Sequence, residues 1–198
     1  MIILEFPNKK YEGYIFDCDG TLADTMPLHH QTWKQALTQH GAKFEFTWKL
    51  MQILAGMGAK DTIAYLNKKF KENLDYKVIH ATKVRLFQEG NTIVNPINDV
   101  VNFAKECKEK DLPIAVCSGG CKQNVHKTLN LLGIKNLFDF IFTQEDVNKG
   151  KPDPEMFLNA AKAMKTDPKN CLVFEDAPKG IEAAKAAGMD YVLIEHKK

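Results

Sequence analysis

Asp17 and Asp19 stand at i and i+2 in the run Asp17-Cys18-Asp19-Gly20-Thr21, directly after the apolar stretch Tyr14-Ile15-Phe16. If that stretch is a buried strand, its end carries two carboxylates into one small space, which is unfavourable unless chemistry uses them. The same residues suit a plain βα turn in which Asp19 or Thr21 caps the next segment, since Asp is depleted in strands and favoured in turns. Three further clusters bear on the choice: Ser118-Gly119-Gly120 ends one apolar run, Glu175-Asp176 ends another, and Lys149-Gly150-Lys151-Pro152 follows a third. In an open parallel sheet, ligands bind beyond the carboxyl ends of the strands. If the first, second and fourth strands are neighbours, Asp17, Asp19, Glu175 and Asp176 meet a hydroxyl and an ammonium in one crevice.

Carboxylates gather in that number around a cation, and an all-oxygen set with room for water and phosphate oxygens favours magnesium over zinc. A carboxylate approaching a phosphate dianion at about 4 Å meets roughly 8 kcal/mol of repulsion at an effective dielectric near 20, about 4 kcal/mol for each unit charge. A divalent ion and one lysine offset this. Asp17, Lys151 and a metal are therefore the combination that an aspartyl-phosphate mechanism needs.

The elements that must position these residues are legible as alternating patterns. Near-continuously apolar, β-rich runs at 13–18, 113–118, 138–143, 171–175 and 191–195 read as strands buried on both faces. Between them, Val100, Val101, Ala104 and Cys107, then Val125, Leu129 and Leu132, then Met156, Phe157, Ala160, Ala161 and Met164, then Ile181, Ala184 and Ala187 recur at helical spacing. Gly133 and Gly188 fit helix ends, and Pro154 and Pro178 fit first turns. The alternation predicts an α/β fold, a Rossmann-like, doubly wound parallel sheet with right-handed crossovers.

One connection is far too long. Between the first and second strands a crossover needs only about a dozen residues, yet the chain carries three more helical patterns there. These are Leu28, Thr32, Trp33, Ala36 and Leu37, ended by Gly41; Ile63, Leu66 and Phe70; and Val78, Ile79, Thr82 and Leu86. They predict a helical cap domain over 26–93, inserted into a core domain formed by 1–25 and 94–198. The links at 24–27 and 90–96 cross together, as a hinged lid requires.

Composition limits the partners. The 198 residues include 27 basic and 25 acidic side chains, a net charge of +2, and 44% hydrophobic residues. A chain of this length buries roughly 70% of its unfolded surface. The charge balance gives no global field toward nucleic acid or an anionic membrane, and a small polar ligand fits better. Met1 to Lys10 lacks the order of a signal peptide, and no apolar run approaches the about 18 residues of a membrane span, so a cytoplasmic monomer is expected. The odd set Cys18, Cys107, Cys117, Cys121 and Cys171 contains no C-x-x-C pair and reads as reduced thiols. Cys117, Cys121 and His126 do not suit zinc, because the first sits in an apolar strand and the last in a helix. Gly56-Met57-Gly58-Ala59-Lys60 lacks the spacing and preceding strand of a nucleotide phosphate loop.

In this order, the DxDGT strand end, Ser118, Lys151 and the Glu175-Asp176 pair resemble the haloacid dehalogenase-like (HAD) hydrolase superfamily. FDCDGTLADT, GKPDPEMF and FEDAPKGIEAAKAAGM are similar to its β-phosphoglucomutase-like branch, which carries a helical cap and includes sugar-phosphate phosphatases. The resemblance implies that Asp17 is the nucleophile and a magnesium ligand. It implies that Asp19 is the general acid and base, with its backbone carbonyl on the metal. Ser118, Gly119 and adjoining amides would hold phosphoryl oxygens, and Lys151 would neutralise charge on nucleophile and phosphoryl group. Asp176 would bind the metal directly, with Glu175 either a ligand or an acceptor behind it. The Gly56 turn would lie over the site, with Lys60 touching substrate. Asp24 reads equally as a helix cap or a hinge residue, and Trp33 as bundle core, with His29 and His30 near the mouth. Mutases of this branch carry an arginine where Ala59 stands, next to Lys60, and a Ser-Lys pair in the segment after Ser118 that reads Gly119-Gly120-Cys121 here. Both departures favour hydrolysis of a small phosphomonoester, such as a fructose-1-phosphate or 6-phosphogluconate type, over a mutase. A phosphosugar sensor without catalysis is the alternative of another class.

Overall fold

A computed structural model describes residues 6–90 and 93–195. Part of the Met1 to Lys10 stretch and positions 91–92 of the 90–96 link lie outside the described residues. Five strands, β1 Gly13–Phe16, β2 Ile114–Cys117, β3 Phe140–Phe142, β4 Cys171–Glu175 and β5 Asp190–Leu193, form one parallel sheet in the order β3-β2-β1-β4-β5. The order reverses at β1, so β1 is flanked by β2 and β4, the neighbours that the polar strand ends require.

Strand pleating sorts the core into two layers. Phe16, Val116, Leu172 and Phe174 face α5 (Asn98–Glu109) and α6 (Lys122–Leu131), packing on Val100, Ala104, Val125 and Leu129. Ile15, Ala115, Cys117 and Val173 face α7 (Glu155–Ala163) and α8 (Pro178–Ala186), packing on Met156, Phe157, Ala160, Ala183 and Ala184. Pro154 immediately precedes α7 and Pro178 opens α8. The outer strands depart from the expected burial: β3 is half-buried throughout and Leu193 of β5 is exposed, because each lacks a neighbour on one edge.

Between β1 and α5 run four helices, α1 Met26–Gln39, α2 Trp48–Leu54, α3 Ala59–Phe70 and α4 Tyr76–Glu89. They share a cluster that includes Trp33, Leu37, Phe46, Leu50, Leu54, Ile63, Leu66 and Ile79. Two corrections to the sequence reading arise here. Helix α2 has no counterpart among the three helical patterns, and α4 turns Ile79, Lys83 and Phe87 inward while Val78 is exposed. Phe87 stacks on the His29 ring at 4.8 Å and the Lys83 ammonium stands 5.1 Å from the centroid of the Trp33 ring, so this face of α4 meets the aromatic side of α1. The chain enters and leaves this layer side by side: Ala23 bridges Pro96, and the Asp24 amide donates to the Asn95 carbonyl at 2.9 Å. Asp24 is exposed, and the α1 N-cap residue is Thr25.

Candidate active site

The carboxyl ends of β1, β2 and β4 lie at one level because their register is matched: Phe16 pairs with Val116 on one side and with Phe174 on the other. The Asp17 amide donates to the Phe174 carbonyl at 2.9 Å, and the Ser118 amide to that of Phe142 at 3.0 Å. Asp17, Ser118, Lys151 and Glu175 are all buried, the lysine with only 1% of its surface exposed.

Lys151 is the hub. Its Nζ donates to Asp17 Oδ1 at 2.7 Å, to Glu175 Oε2 at 2.6 Å and to the Cys117 carbonyl at 2.9 Å. Burial works against its charge, but the two carboxylates hold the ammonium above the ordinary lysine range. Glu175 is fixed from behind as well, its Oε1 accepting from the Ala177 amide at 3.1 Å. Helix α8 presses on it so closely that a Cβ at Gly180 would collide with the Glu175 carboxylate. Gly20, with φ +88°, is required for the same reason at the other wall: a Cβ there would collide with Asp176 Oδ2.

Carboxylate oxygens of Asp17, Glu175 and Asp176 lie within 4.8 Å of one another. Burial, then the neighbouring Glu175, pushes the carboxyls of Asp17 and Asp176 well above their usual range. Three carboxylates against one lysine leave negative charge in a water-poor space, and the donor set is oxygen throughout. This donor chemistry fits a hard divalent cation such as magnesium.

Asp19 has different company. Thr25 Oγ1 donates to its Oδ1 at 2.6 Å, and His29 Nε2 lies 2.9 Å from the same oxygen. Burial alone would raise this carboxyl, but His29, Thr25 and Lys83 bring it down to about 2. Asp17 and Asp19 are thus electrostatically opposite despite their proximity in sequence.

One cavity spans this edge and the helical layer. Asp17, Asp19, Ser118, Gly119, Gly120, Cys121 and Asp176 line its floor; Trp33, Phe46, Met51, Thr62, His80 and Lys83 line its roof, with Gln144 at the side. Lys60 is exposed and outside this lining, so the structure does not bring it to the cavity. It points away because it follows Ala59, the buried residue at the start of α3. The roof lysine is Lys83, missed because a lysine inside a helical pattern reads as solvated. His80 and Gln144 carry no spacing signal. His29, placed near the mouth by the sequence, instead reaches Asp19.

A family model described as haloacid dehalogenase-like hydrolase matches residues 14–194. The chain is 31% identical over 196 residues to the fructose-1-phosphate phosphatase YqaB of Escherichia coli, covering 94% of this chain and 97% of that one. It is 28% identical over 185 residues to a phosphorylated carbohydrates phosphatase of Thermotoga maritima, covering 91% and 83% of the two chains. Among solved structures, the β-phosphoglucomutase of Clostridium difficile aligns with a TM-score of 0.74 at 29% identity over 91% of this chain and 83% of that one. No helix among the described residues is long and apolar enough to cross a membrane. A doubly wound sheet with its acidic strand ends gathered at one edge, together with a family match over nearly its whole length, makes this chain a member of the haloacid dehalogenase-like hydrolases.

Proposed function

We propose that this protein is a magnesium-dependent phosphatase that hydrolyses a small phosphomonoester, a sugar phosphate of the fructose-1-phosphate or 6-phosphogluconate type, through a phosphoaspartate. The observation that carries this reading is the buried Asp17–Lys151–Glu175 array beside Asp176 at the floor of a cavity roofed by helices. A nucleophile held 2.7 Å from an ammonium, with a second carboxylate holding that ammonium, suits attack on an anion.

Asp17 and Asp176 would hold the metal, with the backbone carbonyl of Asp19. When bound, the metal neutralises phosphoryl oxygens and aligns phosphorus with the nucleophile. The free Asp17 oxygen attacks phosphorus as the bond to the sugar oxygen breaks, and Lys151 stabilises the charge that accumulates. Asp19, whose Oδ1 is held by the Thr25 hydroxyl and by His29, passes a proton to the departing alkoxide and then takes one from the water that attacks phosphorus of the phosphoaspartate. Inorganic phosphate leaves and Asp17 is restored. Ser118 and the Gly119 amide hold the remaining oxygens, while Glu175, bonded through both of its oxygens, orients Lys151.

Hydrolysis is favoured over mutase action by Ala59, which offers no cationic grip on a second phosphate and whose amide faces Gln144. The phosphatase names of the two curated relatives support the same choice. Residues 26–93 act as the cap that selects the leaving group, over a core of 1–25 and 94–198, a division supported by hydrophobic clusters that draw on one part or the other.

The test is release of phosphate from an aryl phosphate and from a panel of sugar phosphates, with and without magnesium. Turnover should require the ion and fall on the order of a thousandfold or more in Asp17→Asn, as expected for loss of a nucleophile. Turnover unchanged by that substitution, or by a chelator, defeats the proposal; isomer formation without free phosphate would establish the mutase instead.

A further inference from the structure

The loop after β3 takes no part in the chemistry above, yet its Gln144 reaches across to the helical layer. Gln144 Oε1 lies 3.3 Å from the backbone nitrogen of Ala59 at the start of α3, and Nε2 lies 3.3 Å from His80 Nε2 on α4. A backbone N–H can only donate, so the carbonyl end of this amide faces Ala59 and its NH2 end faces His80. The NH2 group also only donates. His80 Nε2 must then accept, which puts the ring proton on Nδ1 and keeps the imidazole neutral. An imidazolium would set one N–H against another and break the contact.

We propose that Gln144 is a positioning residue that latches the helical layer onto the sheet over substrate, and that the latch forms only on neutral His80. This rests on the phosphatase reading of the cavity, which both residues line. The seam is already close-fitting beside it, since a Cβ on Gly119 would lie 2.6 Å from the Gly56 carbonyl oxygen. The groups around His80 are Lys83 on its own helix, the stacked Tyr76 ring at 5.5 Å and Glu145 on the opposing loop. Burial and Lys83 disfavour the charged ring, and Glu145 favours it. A latched His80 therefore binds its proton less readily than an unlatched one, whose ordinary value is about 6.5. As pH falls through that range, protonation draws the cap open, and KM rises.

The experiment compares wild type, Gln144→Ala and Gln144→Glu. KM and kcat are measured from about pH 5 to 8, the histidine range, in magnesium buffer, and the His80 ring is titrated by NMR, assigned with His80→Asn. Wild-type KM should climb at acid pH, by up to about tenfold per unit below the His80 pKa. Gln144→Ala should show a several-fold higher KM at neutral pH, a flatter acid limb and a His80 that gains its proton at higher pH. Gln144→Glu can accept from both Ala59 and an imidazolium, so its acid limb should flatten or reverse and its His80 should titrate highest. Ionisation of the substrate phosphate is common to all three and cancels in the comparison. Parallel KM profiles, or one His80 titration shared by all three, overturn the latch. Absence of phosphate release from wild type would overturn the phosphatase reading, and the NMR arm would still decide the latch. Should Gln144→Ala fail to fold, the reversal in Gln144→Glu decides.

Discussion

Lys83 shows how the site reverses ordinary residue preferences. Only 9% of it is exposed, its Nζ stands 5.1 Å from the centroid of the Trp33 ring, and burial pulls its pKa down while Asp19 pulls it back up. A buried ammonium without a close carboxylate costs stability, and removing such a charge in favour of an apolar side chain of similar volume is often stabilising by about 1 kcal/mol or more. Lys83→Met should therefore melt at or above the wild-type temperature. The cavity meanwhile loses the ammonium in its roof, the charge that an anionic substrate would meet there, and Asp19 loses one of the charges that favour its ionised carboxylate. We expect kcat/KM to fall on the order of tenfold to a hundredfold, the worth of one hydrogen bond to a charged group at about 1.5–3 kcal/mol. Calorimetry and kinetics on one preparation check both halves. A melting point several degrees lower would mean that Lys83 is a structural residue, not one kept for function at a cost in stability.

At the scale of elements, the strand ends are legible in the sequence because each carries an abrupt change from apolar to polar residues, as in Phe16 to Asp17, Cys117 to Ser118 and Phe174 to Glu175-Asp176. The parallel sheet then levels these ends. The helical roof is less legible. Seven-residue α2 is too short for periodicity to stand out, its Trp48 is exposed, and the buried face of α4 is hidden because an inward lysine interrupts its apolar stripe. Motif position alone places Lys60 at the substrate, whereas a side chain's direction at the first turn of a helix depends on how that helix docks. Docking also sets a prediction. The Gly56 turn meets the β2–α6 loop backbone to backbone, so Gly119→Ala would drive a Cβ to 2.6 Å from a carbonyl oxygen that cannot retreat without lifting the turn. KM should rise roughly tenfold or more, the scale of a misplaced closing lid, with the melting temperature little changed. Gly150→Ala is the control, because a Cβ there would meet nothing within 4 Å and its φ is not positive. It should be neutral or stabilising by about 0.4–1 kcal/mol through the unfolded chain. Equal kinetics for the two variants would mean that the roof does not need to approach Gly119.

For the whole molecule, the decisive question is whether the roof is needed for folding or only for selection. Among the described residues, the two clusters that sandwich the sheet draw none from 26–93, and the helical cluster draws none from outside it. The chain crosses between them where Ala23 bridges Pro96 and the Ile97 amide donates to the Leu22 carbonyl at 3.0 Å. Both ends of the connection are thus held on the sheet side. Replacing residues 26–93 by a short Gly-Ser linker leaves those contacts, both sheet faces and the Lys151 array intact, and loop closure over such a short span costs little entropy. The shortened protein should melt cooperatively and keep the parallel sheet. It should also hydrolyse an activated aryl phosphate slowly, because water enters a site that the roof no longer covers. Its preference among sugar phosphates should collapse toward unity, since Trp33, Thr62, His80 and Lys83 leave with the roof. A shortened chain that is molten by near-ultraviolet dichroism would mean that the helical layer supports the sheet. One that folds and still discriminates between sugar phosphates would move specificity to the floor of the site, where Ser118, Gly119 and Gly120 remain.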